Sequence, residues 1–265
     1  MTTLPVRFYR ATVAYDGAAY FGWQWQKDHP SVQAVLEKAL STITGRFVRV
    51  TASGRTDAGV HAIGQVISFA VATRLDPDTL VRALNANLPP DVVVRDVALA
   101  PDGFHAVRDA VSKRYRYVIQ DGGVRDVFAR RYAWRLPWRL DPEPMVRGGR
   151  LLLGEHDFAA YETSGSKRVS TVRCVTDLTV ERSRTTPWDR IEIEVEANGF
   201  LYNMVRNIVG TLMLVGRGEQ PPEWVADVLA SKDRRRAGPT APPQGLFLVS
   251  VRYEDAHTEA RRNHW

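Results

Sequence analysis

The sequence predicts an α+β protein made of two ferredoxin-like halves, each with the element order strand–helix–strand–strand–helix–strand. Two observations predict this class. Apolar residues alternate at the two-residue period of strands in some segments, and in others they recur at helical spacing behind capping residues. We expect an N-terminal domain over residues 1–104, a C-terminal domain over 105–254 and a polar tail over 255–265. Side by side, the halves would form one extended mixed or antiparallel sheet with helices on one face and a central cleft.

In the first half, capping residues set the limits of two helices. Ser31 is typical of a helix N-cap and Gly45 of a helix end, and an apolar stripe runs between them. Asp76 and Pro77 begin a second helix, which the prolines at 89–90 stop. Alternating patterns predict strands over residues 8–15, 47–51, 65–71 and 92–99.

The second half follows the same order loosely, and we find no sequence repeat that relates the two. The predicted strands cover residues 111–119, 172–180, 191–197 and 246–253, and the predicted helices cover 145–153, 201–215 and 222–229. A long irregular insertion follows the first of these strands. The two halves are therefore similar in the order of their elements.

One face of the predicted helix 201–215 carries Asn203, Arg206, Asn207 and Gly210, at spacings of three, four and seven residues. An arginine on such a face commonly meets only water. However, a glycine in mid-helix costs about 1 kcal/mol, and it often marks the close approach of another segment. The pattern leaves both interpretations open.

The strand at 111–119 separates tyrosines from arginines. Tyr115 and Tyr117 fall on one face, and Arg114 and Arg116 fall on the other. An ordinary strand with aromatic core residues explains this pattern, and we expect that explanation to hold for Tyr117.

Chemistry is concentrated in the loop over residues 52–62, between two predicted strands. Gly54 and Gly59 permit backbone angles that other residues resist, and Asp57 lies two residues from Arg55. If this part of the loop is extended, the two side chains project to one side and can pair. Such a pair would keep Asp57 ionised, as a nucleophile or base must be. Alternatively, Asp57 braces the turn by bonding its own backbone.

Composition favours a polyanionic partner. The net charge is +6 and the pI is near 9.6, and only five of the basic residues are lysines. Arginine suits RNA because its guanidinium makes bidentate hydrogen bonds to phosphate and stacks on bases. A GC-rich or heat-adapted genome also favours arginine. Residues 167–168, which include Arg168, and residues 232–236 are candidate phosphate contacts or simply solvated runs.

Several classes of protein are disfavoured. The single cysteine, Cys174, excludes an internal disulfide framework and a cysteine-based zinc cluster. His61, His105 and His156 lack the paired spacing of a metal site, so we expect no metal. No apolar run is long enough to cross a bilayer and the N-terminal residues lack a secretion signal, which predicts a cytoplasmic protein without membrane contact.

A set of motifs identifies a family. The loop reads GRTDAGVHA over residues 54–62, and further motifs occur in order at residues 15–17, 22–26, 32–40, 104–106, 113–117, 199–212 and 241–246. On these residues the chain resembles the tRNA pseudouridine synthase A (TruA) family over nearly its whole length. One departure occurs after Phe104-His105-Ala106, where the family usually has arginine and this chain has Val107 and then Arg108.

The resemblance implies an activity and a set of site residues. The enzyme would isomerise uridine to pseudouridine at positions 38 to 40 of the tRNA anticodon stem-loop, as a homodimer, with no cofactor and no metal. Asp57 would be the catalytic carboxylate, placed by Arg55 and Arg206, and Tyr115 would stack on the flipped base. We expect the substrate to be bound by Leu246, Asn203, Gln65, His61 and Arg168.

Two other classes of function remain as alternatives. Ferredoxin-like sheets also occur in non-catalytic RNA-binding modules, which present aromatic residues to single strands. Such a module has no need for Arg55, Asp57 and Arg206 together. A metal-dependent nuclease would need clustered carboxylates, and Asp57 has no acidic neighbour nearby in the sequence.

Overall fold

The computed structural model describes residues 4–164, 170–183 and 189–254. The chain divides into two compact units. The first comprises the residues up to Val111 together with those from Leu248 onward, and the second comprises Ser112–Phe247. The last described residues, 248–254, thus return to the first unit. The predicted domain boundary after residue 104 stays a prediction, and the predicted tail 255–265 lies outside the described residues.

The first unit has the predicted order of elements. Its elements are β1 (Arg7–Tyr15), α1 (Val32–Thr44), β2 (Thr51–Ala52), β3 (His61–Val71), α2 (Pro77–Asn87) and β4 (Val92–Ala100). Strand β1 pairs antiparallel with β3 on one side and with β4 on the other, and β2 pairs antiparallel with β3. This sheet order is that of a ferredoxin-like unit. The residues from Leu248 onward add a further strand beside β3.

The predicted capping residues bound both helices. The Ser31 side chain accepts a hydrogen bond from the backbone of Ala34, and Gly45 ends α1 in the left-handed conformation. Asp76 caps α2 by accepting from the backbone of Thr79. These caps satisfy backbone groups that have no partner within the helix.

The strand predicted over residues 47–51 is wrong for most of its length, since pairing with β3 is limited to Thr51 and Ala52. The side chains nevertheless alternate as expected, with Val48 and Val50 buried. The backbone of Val50 is occupied by helix α1: its N–H donates to Glu37 Oε1 at 3.1 Å, and its carbonyl accepts from Gln33 Nε2 at 3.2 Å. Period-two burial therefore arises here without a sheet ladder.

The second unit also follows the predicted order, with two additional short strands. Its elements are β5 (Ala110–Asp121), β6 (Trp134–Leu136), α3 (Pro142–Arg150), β7 (Gly154–Asp157), β8 (Val172–Ser183), β9 (Arg190–Ala197), α4 (Met204–Gly216), α5 (Trp224–Ser231) and β10 (Leu246–Tyr253), the last of which continues into the first unit. The sheet order is β5-β9-β8-β7, all antiparallel, and β6 pairs parallel with β5. Across the described ranges, no helix is long and apolar enough to cross a membrane.

Strand β5 separates its two faces as the sequence predicts. Tyr115 and Tyr117 are buried. On the other face, two arginines of β5 pair with glutamates of β9: Arg114 with Glu196 and Arg116 with Glu194. In each pair a guanidinium nitrogen lies 2.7 Å from a carboxylate oxygen. These cross-strand ion pairs fix the register of β5 against β9 and so fix the position of Tyr115.

Candidate active site

The signature loop, residues 53–60, is held by the backbone of another loop. The N–H of Trp23 donates to the carbonyl of Thr56 at 2.9 Å. Gly22 adopts φ +88°, and a Cβ on it would lie 2.6 Å from that same carbonyl oxygen. Only glycine fits this conformation and this close approach. The motif that contains Gly22 and Trp23 therefore serves to place the signature loop.

Buried polar side chains fix the first half of the signature loop. Gln65 accepts from the Ser53 hydroxyl at 2.7 Å, and it donates to the carbonyl of Gly54 at 2.8 Å. Tyr15 and Thr56 share a hydrogen bond of 2.8 Å between their hydroxyls. Burial raises the pKa of Tyr15 to about 12, so its hydroxyl stays protonated and available to this network at neutral pH.

His61 and Gln65 were expected to bind substrate, but only 1% and 0% of their surfaces are exposed. His61 is the first residue of β3, and its Nδ1 lies 3.0 Å from both the backbone nitrogen of Gly17 and Oδ1 of Asp16. The structure gives both residues a role in supporting the loop. A direct contact of either with substrate stays a prediction.

Asp57 and Arg55 occupy different environments within the signature loop. Asp57 is half-buried at the start of a turn, in which its carbonyl accepts from the N–H of Val60 at 3.1 Å. Arg55 is exposed, and among the residues that the structure describes it has no hydrogen bond or ion pair. Among the described residues Arg55 therefore does not form the ion pair with Asp57 that an extended loop would allow.

In the second unit, Arg206 is fixed from two sides. Its Nε donates to the carbonyl of Ala241 at 2.6 Å, and its Nη1 donates to Asn203 Oδ1 at 2.8 Å. The N–H of Ala241 donates back to the carbonyl of Arg206 at 3.1 Å. Arg206 is half-buried, so the interpretation of a solvated helical arginine is wrong.

A buried polar cluster holds the segment that contains Ala241. Asn207 is 0% exposed, and its Oδ1 accepts from Arg234 Nη2 at 2.9 Å and from the Thr240 hydroxyl at 2.7 Å. Arg234 also donates to the carbonyl of Gly238 at 2.9 Å. The cluster of Asn207, Arg234 and Thr240 thus ties helix α4 to residues 237–241, and through Ala241 it positions Arg206.

This cluster gives Arg234, within the basic run at residues 232–236, a structural role. Arg234 is half-buried and bound to its own chain, Lys232 lies 2.9 Å from a carboxylate oxygen of Asp157, and Arg235 lies 2.7 Å from Asp233. Three of the four basic residues in this run are therefore engaged within the protein.

Gly210 marks a close approach, as its mid-helix position indicated. A Cβ on Gly210 would overlap the carbonyl oxygen of Pro239 and lie 2.8 Å from its carbonyl carbon. The N–H of Gly238 donates to the Thr211 hydroxyl at 3.0 Å in the same contact. Helix α4 and residues 237–241 therefore meet backbone to backbone.

The aromatic candidate in the second unit packs against a supporting ring. Tyr115 is buried, and its ring meets that of Phe200 edge-on, with 4.9 Å between the ring centres. Tyr117 is fully buried, and its hydroxyl donates to the carbonyl of Pro242 at 2.7 Å. The complete burial of Tyr117 confirms it as a core residue, and burial also raises its pKa. Leu246 is buried at the start of β10, a few residues after Pro242.

Asn203 begins helix α4 in the left-handed conformation, with φ 59°, and its side-chain amide donates to the Thr163 hydroxyl at 3.2 Å. It acts on Arg206 directly, whereas its predicted contact with substrate stays a prediction. Arg168 lies outside the described residues. Within the described ranges, no group of three or more histidine, cysteine or acidic side chains could hold a metal ion.

Comparison with known proteins identifies the family. The sequence profile described as tRNA pseudouridine synthase matches residues 11–108 and 150–254. The chain belongs to this family. It is 47% identical over 241 residues to tRNA pseudouridine synthase A of Thermoanaerobacter sp. strain X514, covering 91% of this chain and 97% of that protein.

Two further relatives of this family member are similarly close. It is 46% identical to tRNA pseudouridine synthase A of Aeromonas hydrophila, over 91% of this chain and 88% of that protein. It is 44% identical to the protein of the same name from Myxococcus xanthus, over 93% of this chain and 92% of that protein. Among solved structures, a Cbf5-Nop10-Gar1 complex matches with a TM-score of 0.31 and 12% identity, over 77% of this chain and 54% of that chain. The family assignment does not depend on this structural match.

Several supporting residues of this family member were missed by sequence reasoning. The Tyr15–Thr56, Ser53–Gln65 and Arg234–Asn207 contacts all join residues at least 12 positions apart in the chain. The only sequence signals for them were the motif at residues 15–17 and the arginine run. Neither signal says which residue is the partner.

Arg108 stands one position after the arginine that the family usually carries. Its side chain folds back locally, with Nε 3.2 Å from Asp109 Oδ1 and Nη2 donating to the carbonyl of Gly103 at 2.9 Å. It is exposed, and these two bonds hold it within its own turn.

Proposed function

We propose that this protein converts uridine to pseudouridine in tRNA, within the anticodon stem-loop at positions 38 to 40. The observation that carries the proposal is the signature loop with Asp57, which a buried polar network and the backbone of Trp23 hold in one position. A catalytic carboxylate needs such placement, because a displacement of about 1 Å can lower a rate roughly a hundredfold.

The chemistry follows from the substrate. The glycosidic carbon of a stacked uridine is shielded, so the base must leave the stack. Asp57 then assists cleavage of the N1–C1′ glycosidic bond, or attacks the nucleoside in a bond that breaks again before product release, and the detached uracil rotates and bonds to C1′ through carbon 5. The proton on carbon 5 is lost and N1 takes up a proton, so the reaction is a net isomerisation. The reaction needs no redox step or group donor, and we propose that it proceeds without a cofactor or metal.

We propose further roles for the other candidates. Arg206 stabilises negative charge during the reaction, a role supported by the two hydrogen bonds that fix its guanidinium. Tyr115 stacks on the flipped base, and Leu246 packs against it. Arg55 is exposed beside Asp57 and contacts the RNA backbone, since an unpaired guanidinium favours phosphate.

The remaining proposals concern assembly and location. The family resemblance supports a homodimer in which one tRNA touches both subunits. The substrate and the bacterial relatives support a location in the cytoplasm. Sedimentation of the full chain with and without tRNA tests the dimer, and a monomeric wild-type complex would contradict it.

Replacement of Asp57 tests the proposed function. Asp57→Asn keeps the size of the side chain and Asp57→Ala removes it, so both are expected to lose all measurable pseudouridine formation while still binding tRNA, because phosphate contacts supply most of the affinity. Asp102→Asn, an exposed carboxylate in a turn, is the matched control and should retain the wild-type rate. Appreciable turnover by either Asp57 variant would refute its role.

The non-catalytic alternative makes a different prediction. An RNA-binding module would bind tRNA with every variant and form no pseudouridine even as wild type. A metal-dependent enzyme would lose activity with pre-folded tRNA after exhaustive EDTA treatment, whereas we expect conversion to continue.

A further inference from the structure

Two large aromatic side chains on the loop between β1 and α1 are exposed to solvent. Phe21 is 51% exposed and Trp25 is 53% exposed. The loop is nevertheless ordered: the N–H of Phe21 donates to the carbonyl of Pro30 at 2.9 Å, and the N–H of Trp25 donates to Gln33 Oε1 at 2.9 Å. Clustered exposed apolar groups on a well-bonded loop are typical of an interaction surface.

This loop lies directly against the signature loop. Gly22 and Trp23, which contact the backbone at Thr56, stand between the two exposed aromatics in the chain. A Cβ on Gly22 would be 3.1 Å from the carbonyl carbon of Asp57. Phe21 and Trp25 are therefore each within two residues of the contact, or about 7 Å of extended chain. Nucleotides adjacent to one bound at Asp57 would lie within that range.

A third exposed aromatic residue lies on the segment after helix α1, and a side chain of α1 bonds both this segment and the loop that carries Trp25. Phe47 is exposed, and the guanidinium of Arg49 lies 5.0 Å from the centre of its ring. Gln33 joins the two segments, because its Oε1 accepts from the backbone of Trp25 and its Nε2 donates to the carbonyl of Val50. We call Phe21 and Trp25, together with Phe47 on the segment that Gln33 joins to theirs, the aromatic surface.

Charge around the aromatic surface identifies the kind of partner. Lys27, Arg46, Arg49 and Arg55 are all exposed on the same two loops and the signature loop. Aromatic side chains interleaved with basic ones match the stacking platforms that bind single-stranded nucleic acid. The basic groups neutralise phosphates, and the rings accept any base because every base has a flat face.

We propose that the aromatic surface stacks on unpaired nucleotides of the tRNA that flank the target uridine. The inference rests on the proposed function, since it assigns new contacts to the same substrate. Stacking tolerates any sequence, and an enzyme that serves several positions meets different neighbouring bases at each. The surface thus holds the RNA strand while Asp57 acts on the displaced nucleotide.

Binding of a fluorescently labelled anticodon stem-loop tests the proposal by anisotropy. Phe21→Ala, Trp25→Ala and Phe47→Ala are each expected to weaken Kd about five- to a hundredfold, as loss of one stacked base does. Trp25→Phe should recover most of the affinity. Phe128→Ala, which removes an aromatic that is 73% exposed in the second unit, is the control and should leave Kd within twofold of wild type.

The salt dependence separates stacking from charge. The alanine variants of the aromatic surface should keep the wild-type slope of log Kd against log salt, whereas Lys27→Ala should reduce it by about 0.7–0.9. Aromatic variants that bind as tightly as wild type would overturn the proposal, as would a loss equal to that of the control. A change of oligomeric state with unchanged tRNA affinity would instead assign the surface to protein contacts. Failure of the wild type to form pseudouridine would refute the proposed function while leaving these binding results interpretable.

Discussion

Replacement of Gly210 by alanine sets two opposing effects against each other. In an exposed helix, alanine would stabilise this position by about 1 kcal/mol. Here the added Cβ would overlap the carbonyl oxygen of Pro239, so residues 237–241 must retreat by roughly 1.5 Å. Overpacking of this kind costs about 1–3 kcal/mol.

The retreat also strains hydrogen bonds between the two segments. The bonds at risk join Gly238 to Thr211, Thr240 to Asn207 and Ala241 to Arg206, at 3.0, 2.7 and 2.6 Å. Loss of two of them adds about 2–3 kcal/mol. After the helix gain is subtracted, we expect a net destabilisation of about 2–5 kcal/mol, or a fall in Tm of roughly 4–20 °C.

Urea unfolding of the Gly210→Ala variant measures the loss of stability, and single-turnover pseudouridine formation measures the effect on the rate. Because Ala241 holds Arg206, we expect the rate at saturating enzyme to fall at least tenfold in the fraction that remains folded. Gly216→Ala on the same helix is the control for helix propensity and for overlap with a side chain, because its Cβ would overlap the buried side chain of Met145 and would approach a backbone atom, the carbonyl oxygen of Asp141, only to 3.2 Å. A Gly210→Ala variant as stable and as fast as wild type would refute this account of how Arg206 is positioned.

Three further predictions follow from individual contacts. Arg206→Lys should lower the single-turnover rate about a hundredfold with little change in tRNA affinity, because an ammonium cannot reach two acceptors in one plane; a rate within threefold of wild type would contradict this. Arg234→Gln should destabilise the fold by about 2–4 kcal/mol in urea and leave the salt slope of tRNA binding unchanged, whereas loss of a phosphate contact would reduce that slope with little change in stability. Burial alone would raise the pKa of Asp121. However, Arg182 donates two hydrogen bonds of 2.8 Å to its carboxylate, and together with other contacts they lower the pKa below 3.8 overall. The folded pKa is thus depressed, so the pair stabilises the fold above about pH 4 and loses this effect as pH falls further, and Asp121→Asn should flatten acid unfolding in that range.

Local signals were sufficient to predict most of the fold. The limits of α1 and α2 follow from Ser31, Gly45 and Asp76, because capping depends on residues only a few positions apart. The faces of β5 follow from the two-residue period. Short elements were missed: Trp134–Leu136 has three residues and Gly154–Asp157 is mostly polar, so neither gives a periodic pattern.

Long-range contacts explain what sequence reasoning missed or misread. Residues 47–50 alternate like a strand, yet Gln33 and Glu37 bond the backbone of Val50. Arg234 belongs to a basic run, yet Asn207, 27 residues away, accepts its guanidinium. No local pattern reveals such partners, because a basic or alternating segment has the same sequence whether it meets solvent, RNA or its own fold.

The candidate residues in both units are held by neighbours that need not touch RNA. Gln65 and the backbone of Trp23 fix the loop of Asp57, and the Arg234 cluster fixes the segment that holds Arg206. A shift of about 1 Å in either support is enough to reduce the rate roughly a hundredfold. The same shift leaves the phosphate contacts that supply tRNA affinity unchanged. A mutational scan that measured binding alone would therefore pass over these supports, whereas a scan of single-turnover rates would find them.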